Sequence, residues 1–135
     1  MKLVKPTDLF QYFQKNTMER GRFLGLDVGH KYVGLAVSDP DNRIAAPLSV
    51  LVRKKTNINL MVKDFQTLVS ELSLVGFVVG YPFDLMGSAN AEAVQVKLFM
   101  EDLRKTGKLE GVSYTYWDER FTSKGYLDYV HRNLK

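Results

Sequence analysis

The 135-residue sequence predicts an α/β domain, a mixed five-stranded sheet flanked by helices. Three observations lead there. Residues 22–53 hold three β-rich apolar runs separated by short turn sequences, the pattern of an antiparallel meander. From residue 57 onward, helical periodicity alternates with short apolar runs, one of which lacks period-two alternation and so suits a strand buried on both faces. There is no repeat, low-complexity tract or Pro/Gly-rich linker, and this length suits one domain.

The elements follow in order. Residues 6–17, PTDLFQYFQKNT, open like a helix, with Thr7 as N-cap and Leu9, Phe10 and Phe13 as an apolar stripe. Residues 1–21 are therefore expected to be an N-terminal helical extension to a main domain over 22–135. RFLGLDV (22–28) and YVGLAVS (32–38) read as strands joined by the tight turn Gly29-His30-Lys31, with Gly29 free to take positive φ. Asp39-Pro40-Asp41-Asn42 is turn chemistry leading into a third strand over 44–53.

Ile58, Met61, Val62, Phe65, Leu68, Val69 and Leu72 recur at helical spacing across 57–72, and VGFVV (75–79) is the fourth strand. The loop GYPFDLMGS ends at Ser88, read as the N-cap of a helix over 89–105. That helix offers Ala93, Val96, Leu98, Met100 and Leu103 for burial, and Gly107 suits its exit. VSYTYW (112–117) is the fifth strand, and 122–133 a final helix. Two right-handed crossovers would make the last two strands parallel to the first.

Composition narrows the chemistry. There are no cysteines, which excludes disulfides, zinc–thiolate sites, iron–sulfur clusters and a cysteine nucleophile. With only His30 and His131, acid–base or metal chemistry must rest mainly on carboxylates. Nineteen Lys and Arg against fifteen Asp and Glu give a net charge of +4, a weak pointer to a polyanionic partner. No apolar run reaches the roughly 20 residues that span a bilayer, and the N-terminus has no signal-peptide core. A cytoplasmic location and no membrane partner are expected, or an organellar location if a transit peptide precedes this sequence.

Three segments can carry chemistry. In LGLDVGHKYVGLAVSD (24–39), Asp27 sits near the end of an apolar strand, where a carboxylate must be solvated, paired or metal-bound. Gly34, which lacks a side chain, would let a phosphate backbone approach it. The alternative is an Asp that caps the hairpin turn. Trp117-Asp118-Glu119-Arg120 ends the last strand, and ligands of open α/β sheets gather at such carboxyl ends. If the strands lie suitably, Asp27 and Glu119 (or Asp118) converge and hold Mg²⁺ or Mn²⁺, which would activate water against a phosphodiester. A surface Glu119–Arg120 pair, or acids at a helix N-terminus, is the other reading. The loop from Gly80 to Ser88 opens a helix whose N-terminal amides can hold a phosphate, or is a plain connection.

Arg53, Lys54 and Lys55, with Lys63 downstream, form the densest basic cluster, and Lys31 lies beside Asp27. Such groups contact phosphates or are simply solvated. Tyr114, Tyr116 and Trp117 can stack bases, although packing explains most residues of a central strand.

Together these segments resemble the YqgF-type pre-16S ribosomal RNA nucleases, a Holliday-junction-resolvase-like family of the ribonuclease H-like fold. The resemblance rests on GLDVGHKYVGLAVSD (25–39), IAAPLSVLVR (44–53), FVVGYPFDLMGS (77–88) and DERFTSK (118–124), in that order. It implies a metal-dependent endonuclease acting on structured RNA or branched DNA. By the same resemblance, Asp27 is the first-strand metal ligand and Glu119 the acid after the last strand. Asp118 and Arg120 complete that catalytic motif, Thr122 matches its hydroxyl position and Ser88 the loop flanking the site. Arg120, Thr122 and Ser88, together with Lys31, Arg53 and Lys54 on their charge alone, are the residues expected to face nucleic acid.

Family members usually continue into a longer helical tail with another active-site Asp. Here sixteen residues follow Glu119, and Asp128, the one acid among them, does not match that position. The expected consequence is weaker metal binding. A catalytically impaired nucleic-acid-binding domain of the same fold is therefore the alternative. The Asp-x-Gly pattern also resembles the first phosphate loop of the actin, Hsp70 and sugar-kinase superfamily, but 135 residues cannot supply its two lobes.

Overall fold

A computed structural model describes residues 1–9, 21–38, 45–53, 57–82 and 90–118. Their elements are β1 (Lys2–Leu3), β2 (Arg22–Val28), β3 (Tyr32–Ser38), β4 (Ala45–Val52), α1 (Ile58–Leu72), β5 (Leu74–Tyr81), α2 (Ala91–Lys105) and β6 (Ser113–Asp118). The strands form one sheet in the order β1-β6-β5-β2-β3-β4. As expected, β2, β3 and β4 form an antiparallel meander, while β5 and β6 run parallel to β2.

The sheet has six strands, where the sequence led us to expect five. The extra one is β1, whose Lys2 and Leu3 pair in parallel with Ser113 and Tyr114. Two residues have too little pattern to be read as a strand; a partner more than 100 residues away supplies the hydrogen bonds. Residues 6–9 form the helical turn expected there, and residues 10–17 of that helix lie outside the described residues. Residues 1–9 pack onto the sheet. Leu9 is buried against Phe23 and Val78, and Gly76 makes room for it, since a Cβ there would stand 2.8 Å from Leu9 Cδ1.

Strand alternation divides the side chains between two layers. On the helix side, Leu24, Leu26, Phe77 and Val79 pack against Phe65 of α1 and Phe99 of α2. The Phe65 and Phe77 rings meet at 5.6 Å, both fully buried, and each contributes about 1.5–3 kcal/mol of transfer free energy. On the opposite side, Phe23, Val78 and Leu9 form a smaller cluster beside Trp117. Ser38, fully buried at the end of β3, accepts a hydrogen bond from Phe23 N at 2.9 Å. That bond satisfies an amide beside the register shift between Arg22 and Phe23.

Three local expectations are corrected. Helix α2 starts at Ala91 rather than at 89, and its N-cap is Asn90, not Ser88; Asn90 Oδ1 accepts from Ala93 N at 2.7 Å. Leu98 is exposed and Phe99 takes its place in the core. At 100° per residue, Leu98 points about 200° away from Val96, whereas Phe99 and Leu103 return to the buried face. Gly29 does not adopt the left-handed region. Its role is close approach: its N–H donates to Tyr32 O at 2.8 Å, and a Cβ would sit 3.1 Å from that oxygen. Gly107 does take positive φ, 67°, where α2 ends, as its position suggested.

Candidate active site

Asp27 occupies the penultimate position of β2, one of the two central strands, and is exposed. Solvation therefore resolves the cost of a carboxylate on an apolar strand. It lies directly opposite Gly34 of β3, and an ideal Cβ on Gly34 would be 3.6 Å from Asp27 Cβ. Both residues thus face the side away from the helices. Gly25, Gly34, Ala36 and Pro47 line, with Asp27, an open depression of about 550 Å³. The exposed Leu48 and Val50 of β4 also line it, so the surface beside the carboxylate is open and largely apolar.

Asp118 ends β6, with β5 lying between it and β2. Leu26, Val79 and Tyr116 form one row across the three strands, so Asp27 stands one residue and Asp118 two residues past that row. The axes of β2 and β6 are about 10 Å apart at the usual strand spacing. Tyr116 packs on the helix-side core and Trp117 on the opposite cluster. Alternation therefore sends Asp118 to the helix side, while Asp27 points to the other. The fold brings these two carboxylates to one edge but not to one face.

Glu119, Arg120, Thr122, Ser88 and Lys54 lie outside the described residues. Among the described residues there is no group of three or more His, Asp or Glu able to hold a metal ion. Asp27 nonetheless fits the hard-oxygen preference of Mg²⁺ or Mn²⁺. Its exposed setting leaves room for the several waters that Mg²⁺ retains.

Of the basic residues expected to face nucleic acid, Lys31 and Arg53 are described, and they differ in setting. Lys31 is exposed at the tip of the β2–β3 turn. Arg53 is half-buried under that turn: its main-chain N donates to Lys31 O at 2.7 Å and its Nη1 to Gly29 O at 2.9 Å. Its guanidinium carbon lies 4.9 Å from the Phe99 ring centroid. Burial lowers the Arg53 pKa, and the nearby Asp102 carboxylate opposes that shift.

Sequence reasoning missed Asn90 and the cluster of Gln95, Phe99 and Asp102 facing Arg53. The signal was present in their i, i+4, i+7 spacing, one helix face carrying polar groups around an aromatic ring. Tyr81 and Tyr116, with ring centroids 4.9 Å apart, pack together at the carboxyl ends of β5 and β6, and Lys97 Nζ lies 5.4 Å from the Tyr81 centroid.

Comparison with known proteins gives the chain's relatives. The sequence model of the family described as "RuvX: Holliday junction resolvase" matches residues 21–133. A protein of Rhodobacter capsulatus named "Putative pre-16S rRNA nuclease" is 37% identical over 103 residues, 76% of this chain and 62% of the relative. A protein of the same name from Zymomonas mobilis is 31% identical over 123 residues, 90% of this chain and 71% of the relative. The chain thus spans about 62% of the length of several of the curated relatives it matches. Among solved structures, Thermus thermophilus RuvC in complex with a Holliday junction substrate superposes with a TM-score of 0.51 at 15% identity. That match covers 84% of this chain and 78% of RuvC, and shows the ribonuclease H-like fold.

Proposed function

Because the chain belongs to the RuvX family, we propose that it is a metal-dependent endonuclease acting on structured nucleic acid, with ribosomal RNA precursor as first substrate and branched DNA as second. The observation that carries the reading is Asp27, exposed at the carboxyl end of a central strand and opposite a glycine. Asp27 and Glu119 would hold Mg²⁺ or Mn²⁺. The ion would supply water activation and charge stabilisation at the scissile phosphate. The chain itself contributes an approach over Gly34, directly opposite Asp27, and Lys31 offers a cation to the incoming backbone. By the family resemblance, Glu119, Arg120, Thr122 and Ser88 would add further contacts to the nucleic acid, as would Lys54 by its charge.

The test is cleavage of precursor RNA and of four-way DNA junctions at millimolar Mn²⁺, with Asp27→Asn alongside. We expect metal-stimulated cleavage that the substitution abolishes. No cleavage of either substrate by the wild-type chain would overturn the proposal.

A second reading is a nucleic-acid-binding domain that has lost the chemistry. It is favoured by Asp118 facing away from Asp27, which leaves Asp27 without a described carboxylate neighbour on its own face. That reading predicts salt-sensitive binding, unchanged in Asp27→Asn, with no turnover.

A further inference from the structure

A second hollow, of about 280 Å³, opens on the helix side between the β2–β3 turn and the two helices. Its floor is apolar, made by the buried Met61 and Phe99. Its rim carries mixed chemistry: the Arg53 guanidinium, the Gln95 amide and the Asp102 carboxylate, with His30 at the turn. A phosphate would meet the Asp102 carboxylate, and a metal ion would meet Arg53, so neither charge sign suits the site. A neutral planar group with donors and acceptors on neighbouring atoms suits all three. The volume lies just below the roughly 300–1,000 Å³ of clefts that hold whole drug-sized ligands, which fits a single heterocycle.

The geometry points to a docking site for one unpaired nucleobase, guanine in preference to the others. Guanine N1–H and N2–H donate to a carboxylate while O6 and N7 accept from a guanidinium, and no other base offers that combination. Arg53 is already held in place by Gly29 O at 2.9 Å and by the Phe99 ring. It therefore loses little conformational freedom when a ligand arrives. The turn begins two residues after Asp27. A strand crossing it can present its backbone to Asp27 on one face and turn a single base toward the other. The site thus deepens the nuclease reading, on which it rests, by requiring an unpaired guanine next to the contacted phosphate.

The experiment titrates guanosine monophosphate, cytidine monophosphate and inorganic phosphate into the full metal-free chain, followed by the NMR signals of the Gln95 side-chain amide and the Asp102 and His30 backbones. Guanosine monophosphate is expected to shift them. The Asp102→Asn variant, altered at an exposed position, should bind it roughly five- to a hundredfold more weakly. Gln95→Ala should weaken it in the same direction, and cytidine monophosphate should give small shifts only. Equal response to both nucleotides, response to phosphate alone, or affinity unaffected by Asp102→Asn would overturn the proposal. A wild-type chain that keeps the guanine response yet cleaves nothing would sink the nuclease reading and leave this site standing. Cleavage without any guanine response would do the reverse.

Discussion

Arg53 Nη1 donates to Gly29 O at 2.9 Å, tying the end of β4 to the turn that starts two residues after Asp27. The same guanidinium rests on Phe99 of α2, so one side chain connects the meander, the helix layer and the neighbourhood of the candidate active site. Arg53→Ala should destabilise the domain by about 1.5–4 kcal/mol, from a lost charge-assisted hydrogen bond and a partly desolvated cation–π contact. Arg53→Lys should recover only part of this, because an ammonium lacks the planar fork. Urea denaturation measures the loss, and faster amide exchange confined to the turn would locate it.

Asn90 closes both ends of the β5–α2 connection. Its Oδ1 caps Ala93 N, and its Nδ2 donates to Pro82 O at 3.2 Å. Replacement by Ala should cost about 0.5–2 kcal/mol through the lost cap. Asn90→Asp keeps a cap oxygen and adds favourable charge at the helix N-terminus, but loses the donor to Pro82. Thermal melts should therefore rank the chains wild type, Asp, Ala, and an Ala variant as stable as wild type would remove the cap from the account.

Gly34 should be tolerant of one methyl group and intolerant of a long side chain. Gly34→Ala places its Cβ at ordinary contact distance from Asp27 Cβ, so stability should change by no more than about 0.5 kcal/mol. Gly34→Leu should cover the carboxylate and abolish cleavage while the melting temperature is largely kept. Full activity in the Leu variant would show that substrate does not approach Asp27 over this strand.

Gly76 and Leu9 should be energetically coupled. A Cβ on Gly76 would press on Leu9 Cδ1 at 2.8 Å and on Ser113 O at 3.2 Å. Gly76→Ala should cost about 1–3 kcal/mol by overpacking, and Leu9→Ala about 2–5 kcal/mol by leaving a cavity. In the double variant the new methyl group fills part of that cavity, so the two losses should fall short of additivity by at least about 0.5 kcal/mol. Strict additivity in a double-mutant cycle would mean that Leu9 does not sit over Gly76.

Stability should fall at alkaline pH through the tyrosine cluster. Burial, helped by neighbouring Tyr114 and Tyr81, pushes the Tyr116 pKa well above its usual 10, and burial raises Tyr114 as well. The folded state then binds the phenolic protons more tightly than the unfolded state. Their contribution is complete below the unfolded value near pH 10 and is lost as pH rises beyond it. Urea midpoints between pH 8 and 11.5 should show the decline, and Tyr116→Phe should flatten it.

Much of this was readable from the chain. The apolar runs between turn sequences and the 3.6-residue spacing located β2 to β6, α1 and α2 to within two residues, because both signals depend on near neighbours. The same patterns marked Asp27 as a carboxylate at a strand end. Leu98 was misread because its residue type suited burial, and only the phase set by Val96, Phe99 and Leu103 decides which side of α2 it occupies.

What tertiary structure alone decided is which distant segments meet. Lys2 and Leu3 became a strand only because β6 presents an edge to them. Arg53, legible as one member of a basic cluster, was assigned its partners by the turn and helix that close around it. Asp27 and Asp118 both read as acids at strand ends, yet β5 separates their strands and alternation turns them to opposite faces. Residue type and spacing fix a side chain's place along its own strand. The order and register of the strands, set by hydrogen bonds between residues far apart in sequence, fix which side chains share a face.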